Sequence, residues 1–417
     1  MTCATAAVCC AILPRLTVAL LAPALIIALF GRCSVSAAGA DAPPWSDAAY
    51  GELHAPALDA DGFAEPDAAE RHQRMDVGTV QTSAQTGLSP PVTFVLPGSA
   101  RAALVTLTGP AGAHLALSRW QSGGGPLLVV PGWVSGPHAP LLCTQGCTFR
   151  QSARPAQQVS LAPNAPLPVQ LGGTNEVIVH AFAWDGAAAP KPVAAQVSVT
   201  VDVLHAQPLA SGRLAVNVCL TGAAGLTAAL ARRHARLAEA IATVREIFAA
   251  VAIDIAVNYL DVPGPQFVVH DTNDAEISAL FLSALGAPAG VNVFLVQELT
   301  YSDDGHALPM IGLSGGVPGP FGAAGTAQAG VVVALRLDAG QPDRLGVAIA
   351  HEIGHFLGLY HSSDPAAPDG TQLHDQLPDT GENDAANLMY WSPQPHSTKI
   401  TAQQAAILRQ SPWVQAN

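Results

Sequence analysis

In the segment Val197 to Val203 every second residue is valine, with Ser198, Thr200 and Asp202 between them. A period of two marks a strand with one buried face. Shorter apolar runs, "VTFVLP", "AALVTLTG", "PLLVVPG" and "NEVIVHAFAW", precede it and are punctuated by Gly and Pro. Repeated short strands with turn residues between them predict an antiparallel β-sandwich over residues 86–208. The period changes near Arg213. "RLAVNVCL" reads as a strand, and Leu226, Leu230, Leu237, Ile241, Val244, Ile247 and Phe248 then recur at helical spacing, predicting one long amphipathic helix with Thr227 as its cap. "IDIAVNY" alternates again, and a shorter helix is predicted around Ala275 to Leu285. The runs "VNVFLVQEL" and "VVVALRL" flank a segment, Gly312 to Gly330, too rich in glycine for a regular element. Strands and helices in alternation predict a mixed, layered domain over residues 209–417.

The first 85 residues fit neither pattern. Arg15 precedes the apolar run Leu16 to Phe30, and Ala38 and Ala40 give a small-x-small cleavage pattern, so residues 1–40 read as a signal peptide. The apolar run is short for a membrane span. A secreted mature chain beginning at Asp41, with no stable membrane span, is therefore expected. Lipid anchoring at Cys33 is the weaker alternative, because Arg32 spoils the small-residue context. Residues 41–85 read as an acidic Ala/Pro-rich leader or linker: nine acidic residues lie between Asp41 and Asp76 against Arg71 and Arg74, leaving little to bury. Only 12% of the chain is charged and its net charge is -13, so there is no basic patch for nucleic acid. In an oxidising compartment Cys143 and Cys147 in "CTQGC" are close enough in sequence for a small disulfide loop. Cys219, in a strand-like apolar run, reads as a buried core thiol.

One stretch concentrates the scarce polar residues: "AIAHEIGHFLGLYHSSD", Ala348 to Asp364. Leu345, Ile349, Ile353, Phe356 and Leu357 mark a helix with a core face, and Asp343 stands where a cap belongs. His351 and His355 are four apart, so one turn puts both imidazoles on the same face. Gly358 ends the helix, since glycine takes the positive φ of a sharp turn, and the turn brings His361 back toward the other two. Three neutral imidazoles suit one Zn²⁺, with a fourth position left for water. Glu352, on the neighbouring stripe, stands where it can take a proton from that water and deliver it to a leaving amine. Hydrolysis of a peptide bond follows from these parts. The five fixed letters of HExxHxxGxxH arise by chance far more rarely than a bare HExxH.

On these residues the chain resembles the metzincin family of zinc endopeptidases. "HEIGHFLGLYH" with "HDQLPDT" and "NLMYW" is most similar to its pappalysin-like branch, over roughly Arg213 to Asn417. The resemblance implies His351, His355 and His361 as zinc ligands, Glu352 as general base, and Met389 as a packing residue beneath the metal without a bond to it. It also implies an α+β fold: a metzincin-like catalytic domain with a twisted sheet and an active-site helix, here preceded by an all-β sandwich. The strand bordering the substrate cleft would come from "PMIGLSGG" or from "GVVVALRL". Latency as a zymogen is common in the family. Trp391 stands where astacin-like and serralysin-like relatives carry a tyrosine, so no catalytic role falls to Tyr390. Asp364, Asp369, His374, Asp375 and Asp379 form an oxygen-rich loop of a kind that holds Ca²⁺ or is simply solvated, and no calcium ligand is assigned. The expected partner is a protein or peptide substrate. Two other classes stay open: a non-catalytic binding protein using the sandwich for recognition, and a zinc amidase acting on cell-wall peptides. An intact Glu352 argues against the first.

Overall fold

The computed structural model of the 417-residue chain describes residues 72–123, 127–129, 150–154, 156–166, 169–183, 190–205, 209–262, 269–271, 274–303, 306–315, 329–336, 344–364, 374–375 and 377–416. The expected signal peptide, Cys33, Cys143, Cys147, Asp343, Asp369 and most of the glycine-rich segment lie outside these residues.

The valines at 197, 199, 201 and 203 are fully buried, as their alternation requires. They lie on the last of ten strands: β1 (His72–Gln81), β2 (Val92–Leu96), β3 (Ala102–Thr108), β4 (His114–Ser122), β5 (Leu127–Val129), β6 (Arg150–Arg154), β7 (Gln157–Ala162), β8 (Gly173–Ala183), β9 (Lys191–Pro192) and β10 (Gln196–Leu204). These form two antiparallel sheets, ordered β1-β10-β3-β7-β6 and β2-β8-β4-β5, with β9 on β8. Trp120, Leu115, Leu117, Val177 and Val179 from one sheet meet Val105, Leu107 and the β10 valines from the other. The sandwich starts earlier than its expected boundary at residue 86. β1 pairs along β10, so His72 to Gln81 belong to the sheet and not to the leader. The strand was hidden because its register shifts between Asp76 and Gly78, which interrupts the period of two while Met75, Val77 and Val80 still pack on the sandwich core.

The second half is layered. Its elements are β11 (Gly212–Leu220), α1 (Ala228–Ala231), α2 (Ala235–Ala249), β12 (Ile253–Asp261), β13 (Val269–Asp271), α3 (Asp274–Leu282), β14 (Val291–Val296), β15 (Glu298–Asp303), β16 (His306–Pro309), β17 (Gly312–Ser314), β18 (Val331–Ala334), α4 (Leu345–Leu357) and α5 (Ala402–Gln410). The main sheet runs β12-β11-β14-β18-β17, parallel except for β17, which is antiparallel to β18 at the edge. Of the two runs expected to supply a cleft-bordering strand, "PMIGLSGG" supplies the outermost strand and "GVVVALRL" its inner neighbour. The single long helix predicted from Leu226 to Phe248 is broken into α1 and α2. Thr227 caps α1 through Leu230 N, and the Asp261 carboxylate takes the Ala228 amide at 2.7 Å, tying that first turn to the end of β12. Cys219 is a buried thiol, pushed up to about 12 by burial and so unreactive.

A polar line crosses the parallel strands. Asn258 Nδ2 donates to Asn217 Oδ1 at 3.1 Å, and Asn217 Nδ2 donates to Asn292 Oδ1 at 2.9 Å and to the Pro288 carbonyl at 2.8 Å. These asparagines are register partners. A one-residue slip would strand buried amides, so the line fixes the strand alignment that sets where β17 ends up. We predict that Asn217→Ala, which orphans Asn292 Oδ1 and the Pro288 carbonyl, lowers unfolding stability by about 2 kcal/mol or more. A denaturant midpoint equal to that of the unsubstituted chain would contradict this role.

Candidate metal centre

All thirteen residues of α4 are buried. The sequence predicted one core face; the structure closes every face. α2 packs along the helix, close enough at Gly346 that a Cβ there would lie 2.6 Å from the Ala240 carbonyl oxygen. Arg344 occupies the position before the first turn and reaches the Pro393 carbonyl at 2.9 Å. At the other end Gly358 has φ +124°. Leu359 N bonds Gly354 O at 2.9 Å and Gly358 N bonds His355 O at 3.1 Å, the paired bonds of a Schellman turn. The chain then reverses and places His361 beside the helix, with ring centroids 5.4 Å from His351 and 4.7 Å from His355.

The three rings are oriented by the atoms behind them. His351 Nδ1 bonds the Leu388 carbonyl at 2.6 Å, His355 Nδ1 the Leu359 carbonyl at 2.9 Å, and His361 Nδ1 the Asp364 carboxylate at 2.6 Å. A carbonyl has no proton to give, so Nδ1 of the first two rings must carry one. Burial, and then the neighbouring His361, hold His351 down to about 3. Burial, with His351 and His361 adding to it, holds His355 well below its usual range. Both rings are therefore neutral, with the proton on Nδ1 and a lone pair on Nε2, and the two Nε2 atoms lie 3.1 Å apart. Two lone pairs at that separation repel each other unless a cation lies between them. Tetrahedral Zn–N bonds of about 2.0–2.1 Å put ligand nitrogens about 3.3 Å apart. His361 Nε2 is buried and without a hydrogen-bond partner, and the ligand atoms of the three residues all lie within 4.8 Å of one another. Among the described residues this is the one cluster of three metal-ligating side chains. Its donors fit a zinc ion, and each ring has the oriented outer partner such ligands require.

Glu352 is fully buried beside the two histidines on α4. Its carboxylate packs against β17, where a Cβ on Gly312 would come within 2.7 Å of Oε1. Met389 is also fully buried and lies against the opposite flank of the helix, where a Cβ on Gly354 would meet its sulfur at 2.7 Å. The turn that carries it is tied down from α5: the Thr401/Gln404 capping box forms, Gln404 exchanges two 3.1 Å hydrogen bonds with Asn387, and Asn387 Oδ1 accepts the Met389 amide at 2.9 Å. The Leu388 carbonyl that orients His351 belongs to the same turn.

The acidic loop resolves into separate tasks. Asp364 orients His361, Asp375 bonds Leu377 N and Thr380, and Asp379 bonds Thr401 Oγ1 at 2.9 Å and Gln403 N at 2.9 Å near the start of α5. His374 bonds Ser363 Oγ at 2.7 Å. The sequence grouped these residues as an oxygen-rich loop and missed the role of Asp364. Its spacing three after His361 was the available signal.

No protein-family model and no curated protein matches the chain. Among solved structures it is similar to metalloproteinase-II from Bacteroides fragilis, at 12% identity over 54% of this chain and 64% of that one, with a TM-score of 0.32. The chain thus spans under two thirds of that protein. It is also similar to archaemetzincin from Methanopyrus kandleri, at 15% identity over 48% of this chain and 88% of that one, with a TM-score of 0.26. A chaperone–substrate complex matches at 14% identity over 50% of this chain and 36% of that one, with a TM-score of 0.28.

The lowered histidines set a pH dependence for the metal-free chain. Unfolded imidazoles titrate near 6.5 and native His351 near 3, so between those values the unfolded state binds more protons. His355 acts in the same direction. Stability is therefore predicted to fall as pH drops from about 6.5 toward 3. Asp375, raised to about 6 by burial, and Asp202, also raised by burial, oppose this over part of the window, while His180, lowered by burial, adds to it; two carboxyls do not outweigh three imidazoles. Urea midpoints of chelator-treated protein between pH 7 and pH 4 check the sign; a midpoint that rises on acidification would contradict it.

Proposed function

We propose that the chain is a zinc endopeptidase of metzincin type. The observation that carries this reading is the convergence of three imidazoles beside a buried carboxylate that faces an edge strand. His351, His355 and His361 would hold the ion. Bound there, zinc supplies a Lewis acid for a carbonyl and makes water acidic enough to lose a proton near neutral pH. Glu352 accepts that proton on its carboxylate and returns it to the amide nitrogen, so that hydroxyl joins the carbonyl carbon, the C–N bond breaks and the amine leaves neutral. β17 offers backbone groups at the margin of the sheet, along which an extended peptide aligns antiparallel. Gly312 keeps that strand close to Glu352. Met389 fills the space under α4 and has no bond to the ion in this scheme.

The proposal includes export directed by residues 1–40 and a secreted, latent precursor. Support for it lies in the apolar run with its small-residue cleavage pattern. Among the described residues no helix is long and apolar enough to cross a membrane.

Incubating the protein with denatured casein, with and without a zinc chelator, tests the chemistry. Cleavage is predicted to be chelator-sensitive and to fall by about 10²-fold or more in Glu352→Gln. Full activity in that variant would remove the proposed base. A second substitution tests the geometry: Gly312→Ala puts a methyl group against the Glu352 carboxylate and is predicted to lower kcat at least severalfold with unchanged zinc content. Unaltered kcat would show that this contact has no bearing on the base.

A further inference from the structure

The sandwich reaches the metal helix with polar side chains as well as hydrocarbon. Arg150, on β6, donates from Nη1 to the carbonyl of His355 and, at 3.2 Å, to that of Phe356. Asn164, just after β7, donates from Nδ2 to the Gly358 carbonyl at 3.1 Å. The last carbonyls of a helix lack intrahelical partners and form the negative end of its dipole, so a cation and an amide placed there are well matched. Arg150 stands opposite Leu161, and Leu161 opposite Leu104, so the three share a face of the sheet. Leu104, Leu161, Ala102, Val159 and Leu204 on that sheet join the core that contains α4. Gly358 is held between the two halves: an added Cβ would run into Asn164 Oδ1 and come within 3.2 Å of Ile407 on α5.

The guanidinium is buried. Among the described residues no carboxylate pairs with it. Burying a cation is costly unless its donors are satisfied, and two acceptors of Arg150 are carbonyls of the turn that carries His355 and leads through Gly358 to His361. Those carbonyls fix the backbone from which two of the three imidazoles project.

We propose that Arg150 is a positioning residue of the metal centre, acting from the sandwich through the backbone of the last turn of α4, with Asn164 as its lesser partner. This rests on the reading of His351, His355 and His361 as metal ligands. The sandwich then serves as one wall of the metal-site support.

The test uses the full chain with Arg150→Ala, Arg150→Lys and Asn164→Ala, and Arg119→Ala in the opposite sheet as control. Zinc affinity is measured by competition with a chelator, the ligand field by the visible spectrum of the cobalt-substituted protein, and folding by thermal midpoint. Arg150→Ala is expected to weaken zinc by about 10-fold or more and to shift the cobalt bands, Arg150→Lys to recover part of both, and Asn164→Ala to weaken zinc severalfold. The control is expected to match the unsubstituted chain. Native zinc affinity and cobalt bands in Arg150→Ala, even with a lowered midpoint, would overturn the proposal. If that variant does not fold, Arg150→Lys and Asn164→Ala decide, and unchanged affinity and spectra in both would overturn it equally. An unsubstituted chain that binds neither metal would overturn the metal-site reading and this inference together, whereas tight binding indifferent to Arg150 defeats the inference alone.

Discussion

A helix with no solvent-facing side has to find a protein partner for each polar atom it carries, and α4 carries two imidazoles, a carboxylate and the free carbonyls of its last turn. That constraint organises its surroundings. Carbonyls of Leu388 and Leu359 take the imidazole protons, Gly312 makes room for the carboxylate, and Arg150 and Asn164 cover the helix end. The Nε2 atoms of His351 and His355 and the ring of His361 converge on one place, and that place is the candidate ion site.

The support for each imidazole comes from a different distance along the chain. His355 is oriented by a carbonyl four residues on, His361 by a carboxylate three residues on, and His351 by a carbonyl 37 residues on. The first two are set by the local turn. The third requires the Met389 turn to be docked, and that turn depends on Asn387 and Gln404. Packing of α5 therefore has a direct line to His351 through three hydrogen-bonded residues.

What was legible in the sequence follows this division. Short-range features could be read: the helix ending at Gly358, the three histidines, the Thr401/Gln404 capping box and the alternating valines of β10. Each is written in a fixed spacing that local geometry imposes. Features settled by distant segments could not. β1 was lost to a bulge, the break between α1 and α2 left the helical period almost intact, and Arg150 lies in a stretch whose pattern gives no hint of a helix end some two hundred residues away. Asp364 was visible as an acid and its spacing three after His361 was a local signal, but it was grouped with the other acids of the loop and not read as the partner of His361.

The shared core has a practical corollary. Leu104, Val159, Leu161 and Leu204 sit in one hydrocarbon cluster with Ile353, Phe356 and Leu408, so the boundary between the halves is a seam through packed interior and not a hinge. Someone seeking a minimal fragment around the candidate metal centre by cutting near residue 209 would lay bare that cluster and uncap the helix in a single stroke. A shortened version would need new polar replacements over the seam, plus a surrogate cation for the helix end, before its behaviour said anything about the metal centre.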